Sequence, residues 1–164
     1  IYGKAPSWVG SGMLYLSGHY MLQGGASMLV PLALEPRPGE TVLDLCAAPG
    51  GKTSAIALLM RNKGILVAND RPNRRRISAL ASNQHRMHAC SNTIITALDA
   101  LNMKSLNPFP LNFRKVLVDA PCSGLGILRK YISENSKSKS RSRQNIKLLA
   151  DNQKKLLLAA IDIA

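Results

Sequence analysis

Apolar residues in this chain fall in short, unbroken runs separated by polar loops. Residues 41–45, Ile65 to Asn69, Thr93 to Thr96 and residues 115–118 are such runs, rich in Val, Ile and Leu. Runs that lack the alternation of a half-exposed strand read as strands buried on both faces, as in a parallel sheet. Between them the spacing predicts helices. One spans Thr53 to Arg61 and is closed by Asn62-Lys63-Gly64. Another runs to Met87 with Pro72 in its first turn. A short apolar helix over residues 25–34 precedes a turn at Glu35-Pro36-Arg37-Pro38-Gly39-Glu40. From Gln144 onward, Ile146, Leu149, Leu156, Leu157, Ala160 and Ile161 recur at helical spacing, which predicts a helix covering the sheet. Strands alternating with helices give an α/β fold, a mostly parallel Rossmann-like sheet with helices on both faces.

Ligands of such sheets bind beyond the carboxyl ends of the strands. Asp44, Asp70, Asp99 and Asp119 lie near those ends, one for each strand. The first strand enters the loop Cys46-Ala47-Ala48-Pro49-Gly50-Gly51-Lys52-Thr53, a glycine turn opening a helix, which suits an anionic or nucleoside ligand. This loop is one residue short of a phosphate-binding P-loop, with Cys46 where that motif needs Gly. Pro49 and the second-strand acid Asp70 argue against nucleotide hydrolysis, since a carboxylate there suits ribose hydroxyls. Asp70 has a second reading as the cap of the next helix. Asp99 either accepts from an adenine amine or closes a turn. Asp44 sits inside the end of its strand and reads as support for the loop backbone.

The segment Val118-Asp119-Ala120-Pro121-Cys122-Ser123-Gly124 puts a carboxylate and a thiol together at a strand end. A thiol in such a loop suits nucleophilic or acid–base work. The competing reading is a small buried hydrophobe, which is how Cys46 and Cys90 are taken. Three widely spaced cysteines fit neither a disulfide framework nor a zinc site, which points to a reducing, intracellular compartment. His19, His85 and His88 have no metal-ligand spacing. No run is long and apolar enough for a membrane span, and no signal peptide is visible.

The charge adds a partner. Lys and Arg total 22 against 9 Asp and Glu, a net +13 on 164 residues, which favours a polyanion, most simply nucleic acid. Arg71, Arg74, Arg75 and Arg76 crowd a helix N-terminus against the macrodipole, so they serve RNA phosphate, a cofactor carboxylate or only a solvated face. Residues 133–143 form a Ser/Lys/Arg loop, read either as a solvated insertion or as a phosphate-gripping arm.

Taken in order, Gln23-Gly24 with Ser27, Leu43 to Thr53, Ala68-Asn69-Asp70, Leu98-Asp99 and Val118 to Gly124 resemble the Nop/Sun family of RNA cytosine-C5 methyltransferases, and His19 to Gly24 and the Gln153 to Asp162 helix resemble its nucleolar, ribosomal-RNA branch. The resemblance implies a class I methyltransferase fold with S-adenosylmethionine as cofactor. It implies that residues 1–40 pack on a cofactor-binding domain over 41–164. Cys46, Ala47, Ala48, Pro49, Gly50, Gly51 and Lys52 would wrap the methionine and ribose, Asp70 hold the ribose hydroxyls and Asp99 contact the adenine. Asp119 would lie by the methionine and the target base, with Arg75 near the cofactor. Cys122 would help release the methylated product. The family nucleophile lies in a later Thr-Cys motif, which the resemblance places beyond Ala164. The chain is therefore expected to be a piece of a longer protein and its sheet C-terminally incomplete. The resemblance further implies an RNA substrate, most simply ribosomal, and a nucleolar location in a eukaryote or the cytoplasm otherwise. A P-loop hydrolase and a non-catalytic RNA-binding remnant of the same fold are the alternatives.

Overall fold

The computed structural model describes residues 7–101, 112–122 and 143–164. Strands β1 (Thr41–Asp44), β2 (Ile65–Asn69), β3 (Thr93–Thr96) and β4 (Lys115–Leu117) form one parallel sheet in the order β3-β2-β1-β4. The chain steps outward from β1 through β2 to β3, then returns to the other side of β1 as β4. That reversal is a topological switch point, and it opens a crevice beyond the end of β1.

Both faces of β1 and β2 are buried, as their apolar runs require, whereas β3 at the sheet edge is only partly buried and leaves Ile94 exposed. On one face Val42, Leu66 and Leu117 pack with Ile56, Ala57 and Met60 of α3 (Gly51–Leu59) and the residue after it. Val30 and Leu34 of α2 (Gly25–Leu34) join that cluster. On the other face Leu43 and Val67 pack with Phe113 and with Leu156 and Ala160 of the long helix α5 (Arg143–Ile163). Helix α4 (Arg74–Arg86) covers Ala47 and Ala68 through Leu80. A short helix, α1 (Met13–Leu16), precedes α2. β4 pairs with β1 along one edge, and among the described residues no strand pairs with its other edge.

Two helix starts differ from the sequence expectation. α3 begins at Gly51, before Thr53, because Gly50 (φ +104°) turns the loop directly into the first helical hydrogen bond, Ser54 N–H to the Gly50 carbonyl (2.9 Å). α4 begins at Arg74, not Pro72, because Asn73 is the N-cap and its side chain accepts from the Arg75 and Arg76 N–H groups (3.1 and 3.2 Å). Asp70 is therefore not the cap. The basic loop, apart from Arg143, and the residues Ser123 to Gly126 lie outside the described residues. Among the described residues no helix is long and apolar enough to cross a membrane.

Gly64 leads into β2 at φ +91°, and a Cβ there would lie 2.8 Å from the Gly39 carbonyl carbon and 2.9 Å from the Glu40 nitrogen. Both neighbours are backbone and cannot rotate away. Gly64→Ala should therefore destabilise the protein by about 2–3 kcal/mol in urea unfolding.

Candidate active site

The loop between β1 and α3 is held from behind with unusual completeness. Four consecutive carbonyls each accept a side-chain hydrogen bond. Ala48 receives Arg76 Nη2 (3.1 Å), Pro49 receives Asn83 Nδ2 (2.8 Å), Gly50 receives Gln84 Nε2 (3.0 Å) and Gly51 receives Gln23 Nε2 (2.7 Å). The peptide bond between Ala48 and Pro49 is cis. Three loop N–H groups are also spent internally. Those of Ala47, Ala48 and Gly50 donate to the Asn69 carbonyl (2.8 Å), Asp70 Oδ2 (2.9 Å) and the Ala47 carbonyl (2.7 Å). A loop that cradles a triphosphate must offer such N–H groups to the ligand. Three of those here are already committed within the protein, which counts against the P-loop reading.

Asn69, fully buried at the end of β2, ties neighbouring strand ends together. Its Nδ2 donates to the Leu45 and Leu98 carbonyls (3.3 and 3.1 Å), and its Oδ1 accepts from Thr96 Oγ1 (2.8 Å) and the Leu98 N–H (3.0 Å). The crevice is thereby built on rigid elements.

Two cavities flank this loop. The first, about 250 Å³, is lined by Asp44, Cys46, Lys52 and Asp119, with Gln23 and Ser27 on its outer wall. Ala47, Ala48, Pro49 and Gly51 line it too. The second, about 200 Å³, is lined by Cys46, Asp70, Arg76 and Asp99 with Leu101 and Leu156. Cys46 faces both. Either cavity alone is small for a nucleoside-sized ligand; the two share Cys46 as a wall, and a ligand reaching past it would have the roughly 300–1,000 Å³ of a typical ligand site. The four acids are thus sorted in pairs, Asp44 with Asp119 and Asp70 with Asp99.

Asp70 is 2% exposed, and its carboxylate accepts three hydrogen bonds, from the Ala48 N–H, Arg76 Nε (2.6 Å) and Arg76 Nη2 (2.8 Å). A carboxylate has about four acceptor places, and Oδ1 carries a single one of these bonds, so room remains for a hydroxyl. The guanidinium that reaches Asp70 belongs to Arg76. Arg75 is exposed and lines neither cavity. Asp99 stands at the rim and accepts the Leu101 N–H (3.0 Å), closing a turn. Gly50 lies behind the loop, where a Cβ would meet Gln84 Nε2 at 2.8 Å. Cys122 is exposed just past Pro121, which itself lines the second cavity. Ala164, past which the resemblance places the nucleophile, directly follows α5. Its N–H donates to the Ala160 carbonyl (3.1 Å), continuing the helical bonding, and it lines neither cavity.

Asp44 does more than support the loop. Thr53 Oγ1 donates to its Oδ2 (2.7 Å), while the buried Oδ1 has no partner of full hydrogen-bond geometry, the Cys46 N–H offering the carboxyl only a weak contribution. Burial, with the Asp119 charge adding to it, pushes the Asp44 carboxyl up to about 7. Burial and the nearby carboxylates Asp70, Asp44 and Asp119 push the Cys46 thiol up to about 12, so it stays protonated and is no nucleophile at neutral pH. Lys52 Nζ reaches Asp119 Oδ2 (2.7 Å) across the first cavity. Among the described residues no cluster of three His, Cys, Asp or Glu is placed to hold a metal ion.

Sequence reading missed Gln84 and Asn83, and it named Asn69 and Arg76 without the bonds to the strand ends and to Asp70 that they make. For Gln84 a signal existed. It follows Leu80 by four residues on the buried face of α4, and a polar side chain on an apolar stripe must bond to something inside.

The geometry agrees with what the chain is similar to. The model of the 16S rRNA methyltransferase RsmB/F family matches residues 31–164. The 26S rRNA (cytosine-C(5))-methyltransferase nsun-1 of Caenorhabditis elegans is 43% identical over 94% of this chain and 22% of its own length. The 28S rRNA (cytosine(4447)-C(5))-methyltransferase of Homo sapiens is 43% identical over 94% of this chain and 18% of its own. The chain therefore spans about a fifth of the length of these curated relatives. The crystal structure of NSun6 from Pyrococcus horikoshii with SFG superposes with a TM-score of 0.82 at 31% identity, covering 96% of this chain and 38% of that one. The fold is the Rossmann-like methyltransferase fold, and the chain belongs to the RsmB/F methyltransferase family.

Proposed function

We propose that the protein containing this chain is an S-adenosylmethionine-dependent RNA cytosine-C5 methyltransferase acting on ribosomal RNA. The observation that carries this reading is the pair of cavities sharing Cys46, with two acids lining each. The second cavity suits an adenosine, its ribose on Asp70 beside Arg76 and its base between Asp99, Leu101 and Leu156. The first suits a methionine end, with the unpartnered Asp44 Oδ1 facing an ammonium. That buried oxygen is the test of fit, because a buried acceptor without a donor is costly until a ligand supplies one.

When bound, the cofactor supplies an electrophilic methyl group. The chain's own residues orient and exclude. Asp119 and Lys52 form a charged pair on the first cavity's wall, suited to holding the edge of a target base. Cys46 packs between the two ligand halves as a neutral thiol. Cys122, exposed at the end of the β4 loop, is suited to help release the methylated base. The net charge of +13 supports an RNA partner, and the ribosomal substrate follows the printed activities of the relatives most similar to the chain. In a eukaryote such a protein would work in the nucleolus. Residues 1–40 act as an arm packed on the cofactor domain of 41–164, consistent with Val30 and Leu34 of α2 joining the core around α3.

The test is transfer of labelled methyl from S-adenosylmethionine to ribosomal RNA by the protein expressed from its complete gene, with 5-methylcytosine identified by mass spectrometry. Cys122→Ala should lose turnover and accumulate a covalent RNA adduct, because attack on the base outlasts release. Normal turnover without an adduct would remove that role from Cys122. The non-catalytic alternative requires cofactor or RNA binding with no transfer at all.

A further inference from the structure

We infer that Gln23 is a positioning residue for methyl transfer, acting through Lys52; this rests on the functional reading above. Of the four side chains from outside the loop and α3 that capture loop carbonyls, Arg76, Asn83 and Gln84 all lie on α4. Gln23 comes from the N-terminal arm and takes the last carbonyl, that of Gly51, at 2.7 Å. That carbonyl belongs to the peptide joining Gly51 to Lys52. Fixing it fixes the direction in which the Lys52 side chain leaves α3. Lys52 Nζ then meets Asp119 Oδ2 at 2.7 Å.

Lys52 holds that position against two unfavourable conditions. A cation in the first turn of a helix opposes the macrodipole. Its partner Asp119 is 53% exposed, and an ion pair so open to water holds little by itself. A brace from outside the helix supplies what the pair lacks. The contact is close, since a Cβ on Gly51 would lie 3.1 Å from the Gln23 amide carbon. The brace is itself anchored. Arg86 Nη1 donates to the carbonyls of Tyr15 (2.7 Å) and Tyr20 (3.1 Å), and the guanidinium stands 4.0 Å from the centre of the Tyr15 ring. Gly18 has its backbone pressed against the Arg86 carbonyl, leaving no space for a side chain. The arm from Tyr15 to Gln23 is thus pinned at both ends, on α4 and on the loop.

The experiment uses the protein expressed from its complete gene. Gln23→Met keeps the length of the side chain without a donor, and Gln23→Glu replaces the donor with an acceptor. Each should slow single-turnover methyl transfer about tenfold, the loss expected for one ordinary hydrogen bond, while S-adenosylmethionine affinity changes less than about twofold. Gln23→Lys restores a donor of similar reach and should recover most of the rate. In a Lys52→Ala background Gln23→Met should cost nothing further, because its effect runs through Lys52. An equal loss in both backgrounds overturns the inference. A second readout needs neither cofactor nor turnover. Acetylation of Lys52, followed by mass spectrometry on the folded protein, should quicken severalfold in Gln23→Met and Gln23→Glu while exposed Lys154 is unchanged. Unchanged labelling of Lys52 also overturns it. If the wild-type protein transfers no methyl group, the functional reading falls and the labelling still decides the role of Gln23.

Discussion

Asp70→Ala should weaken S-adenosylmethionine binding by at least about a hundredfold and cost the fold about 3 kcal/mol. The two losses have different sources. The affinity loss follows from removing the acceptor proposed for the ribose hydroxyls at the end of β2. The stability loss follows from the partners left behind. The Ala48 N–H and the Arg76 guanidinium both donate to this carboxylate. The Ala48 N–H would be left unbonded near the protein interior. Arg76 keeps 35% of its side-chain surface exposed, so water offsets part of its loss and holds the cost below that of a sealed ion pair. Urea unfolding and calorimetry separate the two effects. A folded Asp70→Ala variant that bound the cofactor as tightly as wild type would remove Asp70 from the site.

Asp44→Asn should weaken the cofactor about tenfold to a hundredfold at pH 8 and abolish a pH dependence that wild type shows. The buried carboxyl is raised from 3.8 to about 7, chiefly by burial. Its protonated form is the one the fold prefers. Its contribution to stability is therefore complete below about pH 4 and is lost as the pH rises through about 7, a span on the order of 4 kcal/mol. The amide of Asn keeps an oxygen for Thr53 and cannot ionise, so the slope of stability between pH 4 and 7 should flatten. An ammonium placed against Oδ1 favours the carboxylate and drives the proton off. At pH 7 about half of the free sites are protonated, so binding should release about half a proton. Titration in two buffers of different ionisation enthalpy measures this directly. No proton release, with affinity equal in Asp44→Asn, would mean that Asp44 does not face the ligand.

The sheet was legible because its strands are apolar on consecutive residues, and only burial on both faces explains Val42 beside Leu43 or Leu66 beside Val67. The acids at the strand ends were legible for a related reason, since carboxylates beside such runs have no place in the core. The helix starts were less so. Pro72 carries a strong start signal, but Asn73 offers a side-chain acceptor at the right spacing and prevails. The bracing of the loop was not legible. Gln23, Asn83, Gln84 and Arg76 are distant in sequence from the carbonyls they hold, and hydrogen bonds between remote segments leave no period to read. The same limit applied to Asp44, whose unpartnered oxygen is visible only once burial is known. Asp99 had two readings on sequence, and its bond from the Leu101 N–H shows it closing a turn while it stands at the cavity rim.

In the proposed function one ligand, S-adenosylmethionine, spans both cavities past Cys46. The most direct measurement is calorimetric titration of the folded protein with S-adenosylmethionine and, separately, with ATP and magnesium. One S-adenosylmethionine should bind to each chain, and ATP should not bind, if a single cofactor spans the site. A folded protein that bound ATP with magnesium, or bound neither ligand, would contradict it.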